Sequence, residues 1–279
     1  MLRQKVLSGA RSPDEWIELL GPLVQYDRDA EAMRKHMGRR LAWVIGLGVI
    51  VALAAASFQP IAAAVVAAVT IVAALLIYPR YRFAKKMDLA DAPLGFTVPL
   101  LPILREDADP AKPLELKLDL RGALVSGKRT GETKPYKKGA YHKVVDTLYE
   151  DPWLVGHAEF VDGTALDWTV TDHVRSSKKT KRNPRGKIKT KTKRKKKTSL
   201  DVKVVFPAKN YAAAQATAGG PSAGDLRKDV IKTGDGRTTV RVSRVVKSND
   251  VNAPLDVNHL LDLVAHAYGR VAPARRKKL

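Results

Sequence analysis

"LDWTVTDHVRSSKKTKRNPRGKIKTKTKRKKKTSLDVKVVF", Leu166 to Phe206, is the stretch whose reading decides the fold. At its start Leu166, Trp168 and Val170 alternate on even numbers, and at its end Leu200, Val202, Val204 and Phe206 do the same. Side chains two apart share one face of a strand, so both ends read as strands facing a core. Between them, from Arg175 to Lys197, lie fourteen Lys or Arg residues and no acid. The chain has to reverse there, and "NPRG", Asn183 to Gly186, is the turn signal available. The basic run is therefore expected to be the distal half of one long β-hairpin, rooted in the core and projecting from it. Lys187, Lys189, Lys191, Lys193, Lys195 and Lys197 fall on odd positions, with Ile188, Thr190 and Thr192 on the other face. Threonine favours strands, which supports the same reading.

Parity constrains the turn. Even residues of both strands share the core face only if the loop holds an odd number of residues or the ribbon carries a bulge. A two-residue turn at Pro184-Arg185 would bring lysines against Trp168 and is rejected. The eight residues from Arg175 to Arg182 would extend about 26 Å past the core at roughly 3.3 Å each. The competing readings are a disordered, self-repelling basic loop and a localisation signal in "KKTKR" or "KRKKK".

The expected partner is anionic. Phosphates attract lysine regardless of sequence, so nucleic acid, anionic lipid head groups and acidic proteins all qualify. No aromatic residue lies between Arg175 and Lys197 to stack on bases, and lysine outnumbers arginine, which serves bidentate base reading poorly. Non-specific electrostatic contact is expected through Arg175, Lys178, Lys179, Lys181, Arg182, Arg185, Lys187, Lys189, Lys191, Lys193, Arg194, Lys195, Lys196 and Lys197. The formal net charge of the 279-residue chain is +22, of which this run supplies +14, so most of the imbalance is local. The chain has no cysteine, which excludes disulfides, thiolate metal sites and cysteine nucleophiles.

A second feature sets the chain at a membrane. "LAWVIGLGVIVALAAASFQPIAAAVVAAVTIVAALLIY", Leu41 to Tyr78, has no charged residue and is broken only by Gln59 and Pro60. Each arm would rise about 27 Å as a helix, just under the roughly 30 Å of a bilayer's hydrocarbon core. Arg28, Arg34, Lys35, Arg39 and Arg40 precede the first arm, and Arg80, Arg82, Lys85 and Lys86 follow the second. The positive-inside rule then places both termini in the cytoplasm, with a transmembrane hairpin over 41–79 in an inner or plasma membrane. Gly48, Ala52 and Ala56, with Ala63 and Ala67, give a four-residue spacing of small side chains that lets membrane helices approach closely, within the chain or in a homo-oligomer. A buried helical hairpin of a soluble protein is the alternative. A cleaved signal peptide fits less well, since about forty residues precede the first arm and a second follows at once.

The flanks complete the plan. In "SPDEWIELL", Ser12 and Glu15 form a capping box around Pro13, so a short helix is expected over 13–20, ended by Gly21 and Pro22, within a cytoplasmic helical segment 1–40. "DAPLGFTVPLLPILREDADPAKP", Asp91 to Pro113, has five prolines and reads as part of a juxtamembrane linker 80–113. From Leu114 the period becomes two: Leu114, Leu116, Leu118 and Leu120 share a face. "WLVGHAEFVDGTALDWTV" reads as a hairpin around Asp162-Gly163, and a two-residue loop there would set Val155 opposite Val170 and His157 opposite Trp168. "IKTGDGRTTVRVSRVV" reads as another, turning at Gly234 to Gly236. Together these predict an antiparallel β domain over 114–271, a sandwich or half-open barrel, making the chain a membrane-anchored α+β protein. Within it fall a small-residue linker 210–224 and a C-terminal amphipathic helix, followed by a basic tail 272–279.

Catalytic signatures are thin. "GALVSGKRT" places Gly122, Gly127 and Lys128 at phosphate-loop spacing, but Arg129 stands where Ser or Thr would hold magnesium, and no helix pattern follows. On the last helix His259, Asp262 and His266 share a face at metal-compatible spacing, opposite Val257, Leu260, Leu261, Val264, Tyr268 and Val271. An amphipathic helix docked on a sheet gives the same division with the histidines solvated. The expectation is a scaffold or tether with no cofactor or metal. The alternative is a nucleotide- or metal-dependent enzyme or regulator using the Gly122–Lys128 loop or the His259/His266 face.

Overall fold

A computed structural model describes residues 5–87, 89–183, 185–213 and 226–274 of the chain. Most of the small-residue linker (214–224), residues 275–279 of the basic tail and Pro184 of the expected turn lie outside the described residues. The chain divides into two units, one of residues 20–89 and one made of residues 1–19 together with 90–279.

The first unit is a pair of helices, α1 (Pro13–Ala56, whose first turns belong to the other unit) and α2 (Pro60–Met87). Both are long and apolar enough to cross a membrane. Their apolar arms are uncovered: Trp43, Leu53, Phe58, Ile61, Leu75 and Leu76 are each more than 60% exposed, which no buried core hairpin shows. The break between them falls at Ser57–Gln59, where Pro60 occupies the first position of α2 and needs no amide partner. Gly21 and Pro22 do not end α1, contrary to expectation, because a proline at position 22 forfeits one intrahelical bond while the helix continues on either side. At Gly48 the helices come so close that a Cβ would lie 2.3 Å from the Thr70 side chain, so the small-residue spacing marks the seam between these two helices. Away from the apolar arms, the Tyr26 hydroxyl meets Met87 Sδ at 2.8 Å, and Asp27 accepts from the Leu89 amide at 2.7 Å.

The second unit is a large antiparallel sheet with helices on it. Its strands are β1 (Val6–Arg11), β2 (Leu114–Asp119), β3 (Arg129–Glu132), β4 (Tyr136–Lys138), β5 (Tyr141–Glu159), β6 (Ala165–Arg182), β7 (Ile188–Pro207), β8 (Tyr211–Ala213), β9 (Leu226–Gly234), β10 (Arg237–Ser248) and β11 (Val271–Pro273). The main sheet runs β1-β2-β5-β6-β7-β10-β9, with β3 and β4 also paired to β5, and β8 pairs with β11 in a separate two-stranded sheet. The expected sandwich or half-open barrel thus takes the form of one nine-stranded sheet and one small one.

The segment 1–40 is not wholly helical: β1 pairs antiparallel with β2 from Val6↔Asp119 to Arg11↔Leu114. The β unit is therefore discontinuous in sequence, with the apolar helices inserted between its first and second strands. The capping box forms as expected, with the Ser12 amide donating to Glu15 Oε2 at 2.8 Å and the Glu15 amide to Ser12 Oγ at 3.2 Å. It starts the helix that Trp16 then fastens to the sheet by donating from Nε1 to the Leu114 carbonyl at 2.9 Å.

The Pro-rich linker is corrected too. Residues Asp91–Asp107 form a helix, α3, and residues 80–87 continue α2. Buried Leu94, Thr97, Leu100, Leu101 and Leu104 recur at helical spacing, and Phe96 meets Trp153 edge to face at 5.5 Å. Burying that stripe outweighs the two amides lost at Pro99 and Pro102. The C-terminal amphipathic helix, α4, spans Asn258–Tyr268 and buries Leu260, Leu263 and Ala267. Expected core residues Leu261 and Val264 are only half-buried.

At one turn the register differs from the expected pairing. The β5–β6 connection is five residues long, closed by the Phe160 amide on the Thr164 carbonyl at 2.8 Å, so Gly156 stands opposite Trp168, Leu154 opposite Val170 and His157 opposite Asp167. Asp162 is not a free turn residue but accepts from the Thr164 amide at 2.8 Å and from the Tyr211 hydroxyl at 2.5 Å, and these bonds fix the wider loop. The β9–β10 turn is as expected: Asp235 and Gly236 both have positive φ, and Gly234 pairs with Arg237.

Candidate polyanion-docking ribbon

The basic run lies on the paired ends of β6 and β7. Leu166 stands opposite Val204, Trp168 opposite Val202 and Val170 opposite Leu200, and the same register continues outward to Arg182 opposite Ile188. The loop between is five residues, an odd number, as parity requires, and the three even-numbered core pairs stay on one face. Gly186 at φ +77 closes the turn, with its amide on the Asn183 carbonyl at 2.9 Å, and Arg182 Nε donates to the Gly186 carbonyl at 3.2 Å. Thr180 and Thr190 meet across the strands at 3.4 Å between their hydroxyl oxygens.

Pairing stacks like charges. Arg175 stands opposite Lys195, Lys179 opposite Lys191, and Lys181 opposite Lys189. All six are on odd positions and so share a face. Directly opposed like charges destabilise a strand pair by up to about 1 kcal/mol each, a cost that a bound polyanion would remove. Of the fourteen basic residues, Lys179 and Lys181 are half-buried and Lys196 is buried, while the others are exposed. Lys179 gains a partial partner in the Tyr141 ring, 5.6 Å from its ammonium.

Lys196, expected on the contact face, lies on the core side instead. It is 4% exposed, and its ammonium donates to the Ala253 carbonyl at 2.8 Å and lies 3.8 Å from Asp172. Its even position places it on the core side with Thr198, whose hydroxyl donates to Asp172 at 2.5 Å. The ribbon is also less isolated than expected. β5 accompanies β6 as far as Lys143 opposite Thr180, and β10 accompanies β7 as far as Ser248 opposite Lys196. The outer edge of β7, Ile188 to Lys195, and the last two residues of β6, Lys181 and Arg182, have no outer neighbour among the described strands.

These neighbours add cations that the sequence reading missed. Lys143 sits beside the ribbon, exposed Lys137 and Lys138 lie on β4, and Lys247 stands opposite Lys197. None belongs to a dense basic run, so only the pairing reveals them.

Both enzyme candidates have partners within the fold. Lys128 ends a single 3-10 turn, Ser126–Lys128, and is buried. Its ammonium lies 2.5 Å from Asp151 and 3.0 Å from Asp119, so no phosphate is needed to neutralise it. Burial pushes the Asp119 carboxyl up, but hydrogen bonds from Arg121 and Lys128 outweigh it and hold it below the ordinary carboxylate range. Burial dominates at Asp151 and raises its carboxyl despite Lys128, with the Asp119 and Asp172 charges adding to the rise. Asp151 and Asp172 stand opposite one another on β5 and β6, so buried polar groups run from Asp119 to Thr198 beneath the ribbon's root.

The histidine face of α4 is engaged by the sheet and is not simply solvated. Arg244 of β10 donates to Asp262 at 3.0 Å and approaches His259 Nδ1 at 3.3 Å. His266 Nε2 lies 3.0 Å from Asp229 of β9, which also pairs with Arg270. Burial alone would raise the Asp229 carboxyl, but Arg270 and His266 hold it below the usual range. Among the described residues no group of three or more His, Cys, Asp or Glu side chains is placed to hold a metal ion. No protein-family model, curated protein or solved structure matches this chain.

Proposed function

We infer that this chain is a membrane scaffold or tether, anchored by α1 and α2, whose β unit docks a phosphate-bearing polyanion through the lysine ribbon. The observation that carries the reading is the register of β6 and β7, which opposes Arg175 with Lys195, Lys179 with Lys191 and Lys181 with Lys189 on one face. A solubilising tail needs no such order, whereas a rigid row of cations matches a row of phosphates and releases counterions on contact. Nucleic acid is the favoured partner, with anionic lipid and acidic protein as the other outcomes of the test.

Pairing of β1 with β2 supports the topology. One strand precedes the apolar helices and the other follows them, so a chain that crosses the bilayer must return to the side it left. The basic flanks of both arms favour the cytoplasmic side. The exposed apolar faces of the helix pair are also available for a homo-oligomer.

The test uses the full chain in an uncharged detergent. Binding to duplex DNA, to anionic vesicles and to polyglutamate is titrated against salt. Duplex binding that weakens steeply with salt supports the reading. Preference for polyglutamate or vesicles would reassign the partner, and absence of binding to all three would overturn the docking function.

A further inference from the structure

At the root of the ribbon the sheet carries a half-open hollow of about 610 Å³. Arg175 of β6, Lys195 and Lys197 of β7 and Lys247 of β10 all line it, together with Tyr149 and Asn249, and no carboxylate does. The register brings these cations together from three strands, since Arg175 stands opposite Lys195 and Lys197 stands opposite Lys247. The buried Lys196 between them is already held by the Ala253 carbonyl and by Asp172. The four lining cations have no carboxylate partner among the ion pairs of the described residues.

We propose that this hollow is a binding site for a compact, multiply charged phosphate group, a phosphomonoester or an oligophosphate. A concave site walled by protein focuses the field of its charges, so four cations there attract an anion more strongly than the same four along an open strand. Three ammonium groups suit the rounded charge of a phosphate, and the Arg175 guanidinium adds a planar fork for two of its oxygens. Asn249 supplies a neutral hydrogen-bonding group that a bare electrostatic surface lacks. The volume falls within the roughly 300 to 1,000 Å³ of small-molecule sites. The proposal rests on the docking reading for Arg175, Lys195 and Lys197, which ribbon and hollow share. Lys247 lines the hollow from β10, outside the ribbon's own two strands, whereas Lys189, Lys191 and Lys193 lie on the ribbon and do not line the hollow.

The experiment titrates inorganic tripolyphosphate into the full chain in uncharged detergent by calorimetry, with duplex DNA binding measured in parallel. The expected result is saturable binding at one tripolyphosphate per chain. Lys247→Glu should weaken it by about tenfold or more, the loss of one charged hydrogen bond and its replacement by a repulsion. Lys247→Gln, which keeps the stem, should give a smaller loss and guards against a misfolded Glu variant. Reversing Lys189, Lys191 and Lys193 to Glu should cut duplex binding while tripolyphosphate still saturates at one per chain. Several tripolyphosphates per chain, or equal losses from Lys247→Glu and from the distal reversal, would overturn the hollow and leave the docking ribbon standing. Loss of tripolyphosphate binding in Lys247→Glu with duplex binding untouched by the distal reversal would support the hollow and overturn the ribbon. Competition by short-chain phosphatidic acid, a phosphomonoester, over phosphatidylglycerol, a diester, would assign the group to a lipid head group. Absence of that competition with tripolyphosphate binding intact would assign it to a soluble phosphate.

Discussion

Gly156 stands opposite Trp168 on the neighbouring strand, and a Cβ at position 156 would lie 2.2 Å from the Trp168 ring at Cζ2. The indole is 1% exposed and fills the place that any other residue's side chain would take. Gly156→Ala is therefore expected to lower stability by about 1 to 3 kcal/mol, the cost of overpacking a dense core. In a Trp168→Phe background, which removes the atoms that collide, the same substitution should cost clearly less. Denaturant unfolding of the four proteins, followed by circular dichroism, gives the coupling directly.

The buried charges beneath the ribbon's root predict a pH dependence. Asp151 has a raised carboxyl pKa, so the native state holds that proton more tightly than the unfolded chain does. Its contribution is present at low pH and is lost as pH climbs from the ordinary carboxylate value of about 3.9 through the raised native one. Asp151→Asn mimics the protonated form and escapes that loss, so its stability relative to the parent should rise with pH across this window. A difference that falls or stays flat would contradict the assignment.

Lys128 separates Asp119 from Asp151 in the same cluster. Lys128→Met strands two buried carboxylates and is expected to cost about 3 to 5 kcal/mol near neutral pH. Were Lys128 a phosphate ligand instead, the substitution would leave the stability of the unliganded protein nearly unchanged. Thermal unfolding in the absence of any phosphate separates the two.

In the helix pair, Gly46 and Gly48 make contrasting predictions. A Cβ at Gly46 meets nothing within 4 Å, whereas one at Gly48 runs into Thr70. Gly46→Ala should be neutral or mildly stabilising, and Gly48→Ala should loosen the pair at a cost of about 1 to 3 kcal/mol. Melting temperatures of the two variants in one detergent are the comparison needed. Equal effects would show that Gly48 is not at the seam.

Much of this architecture is legible in the sequence wherever a pattern is long and one-sided. The even-numbered core of β6 and β7 and the leucines of β2 each repeat one period over several residues and fold as that period dictates, and the uncharged run of residues 41–78 forms two long apolar helices as its length and composition imply. Local chemistry misled where burial outweighs it. Pro99 and Pro102 argue against a helix by their missing amides, yet the stripe from Leu94 to Leu104 forms one. Asp162-Gly163 invites a two-residue turn, but hydrogen bonds to Asp162 from Thr164 and the distant Tyr211 set a five-residue loop and move the register by one. The partnership of β1 with β2 was illegible because it joins residues about a hundred positions apart, and six residues reading "VLSGAR" carry no strong period. For the site, charge density showed the ribbon but not its depth. Lys196 looks like its neighbours until the register turns it toward Asp172, and Lys247 looks ordinary until the register sets it opposite Lys197.

The central claim, that the ribbon docks a phosphate polyanion, is tested most directly by the salt dependence of duplex DNA binding for the full chain and for its Lys189→Glu, Lys191→Glu, Lys193→Glu variant. The three side chains are exposed on one face of β7, so the variant should keep the parent's unfolding transition. Each lost phosphate contact reduces the slope of log affinity against log salt by about 0.9, so the slope is expected to flatten by roughly 3 and the affinity to fall. A variant that folds and binds with the parent's slope and affinity would contradict the account and leave the basic run as a surface feature without a docking role.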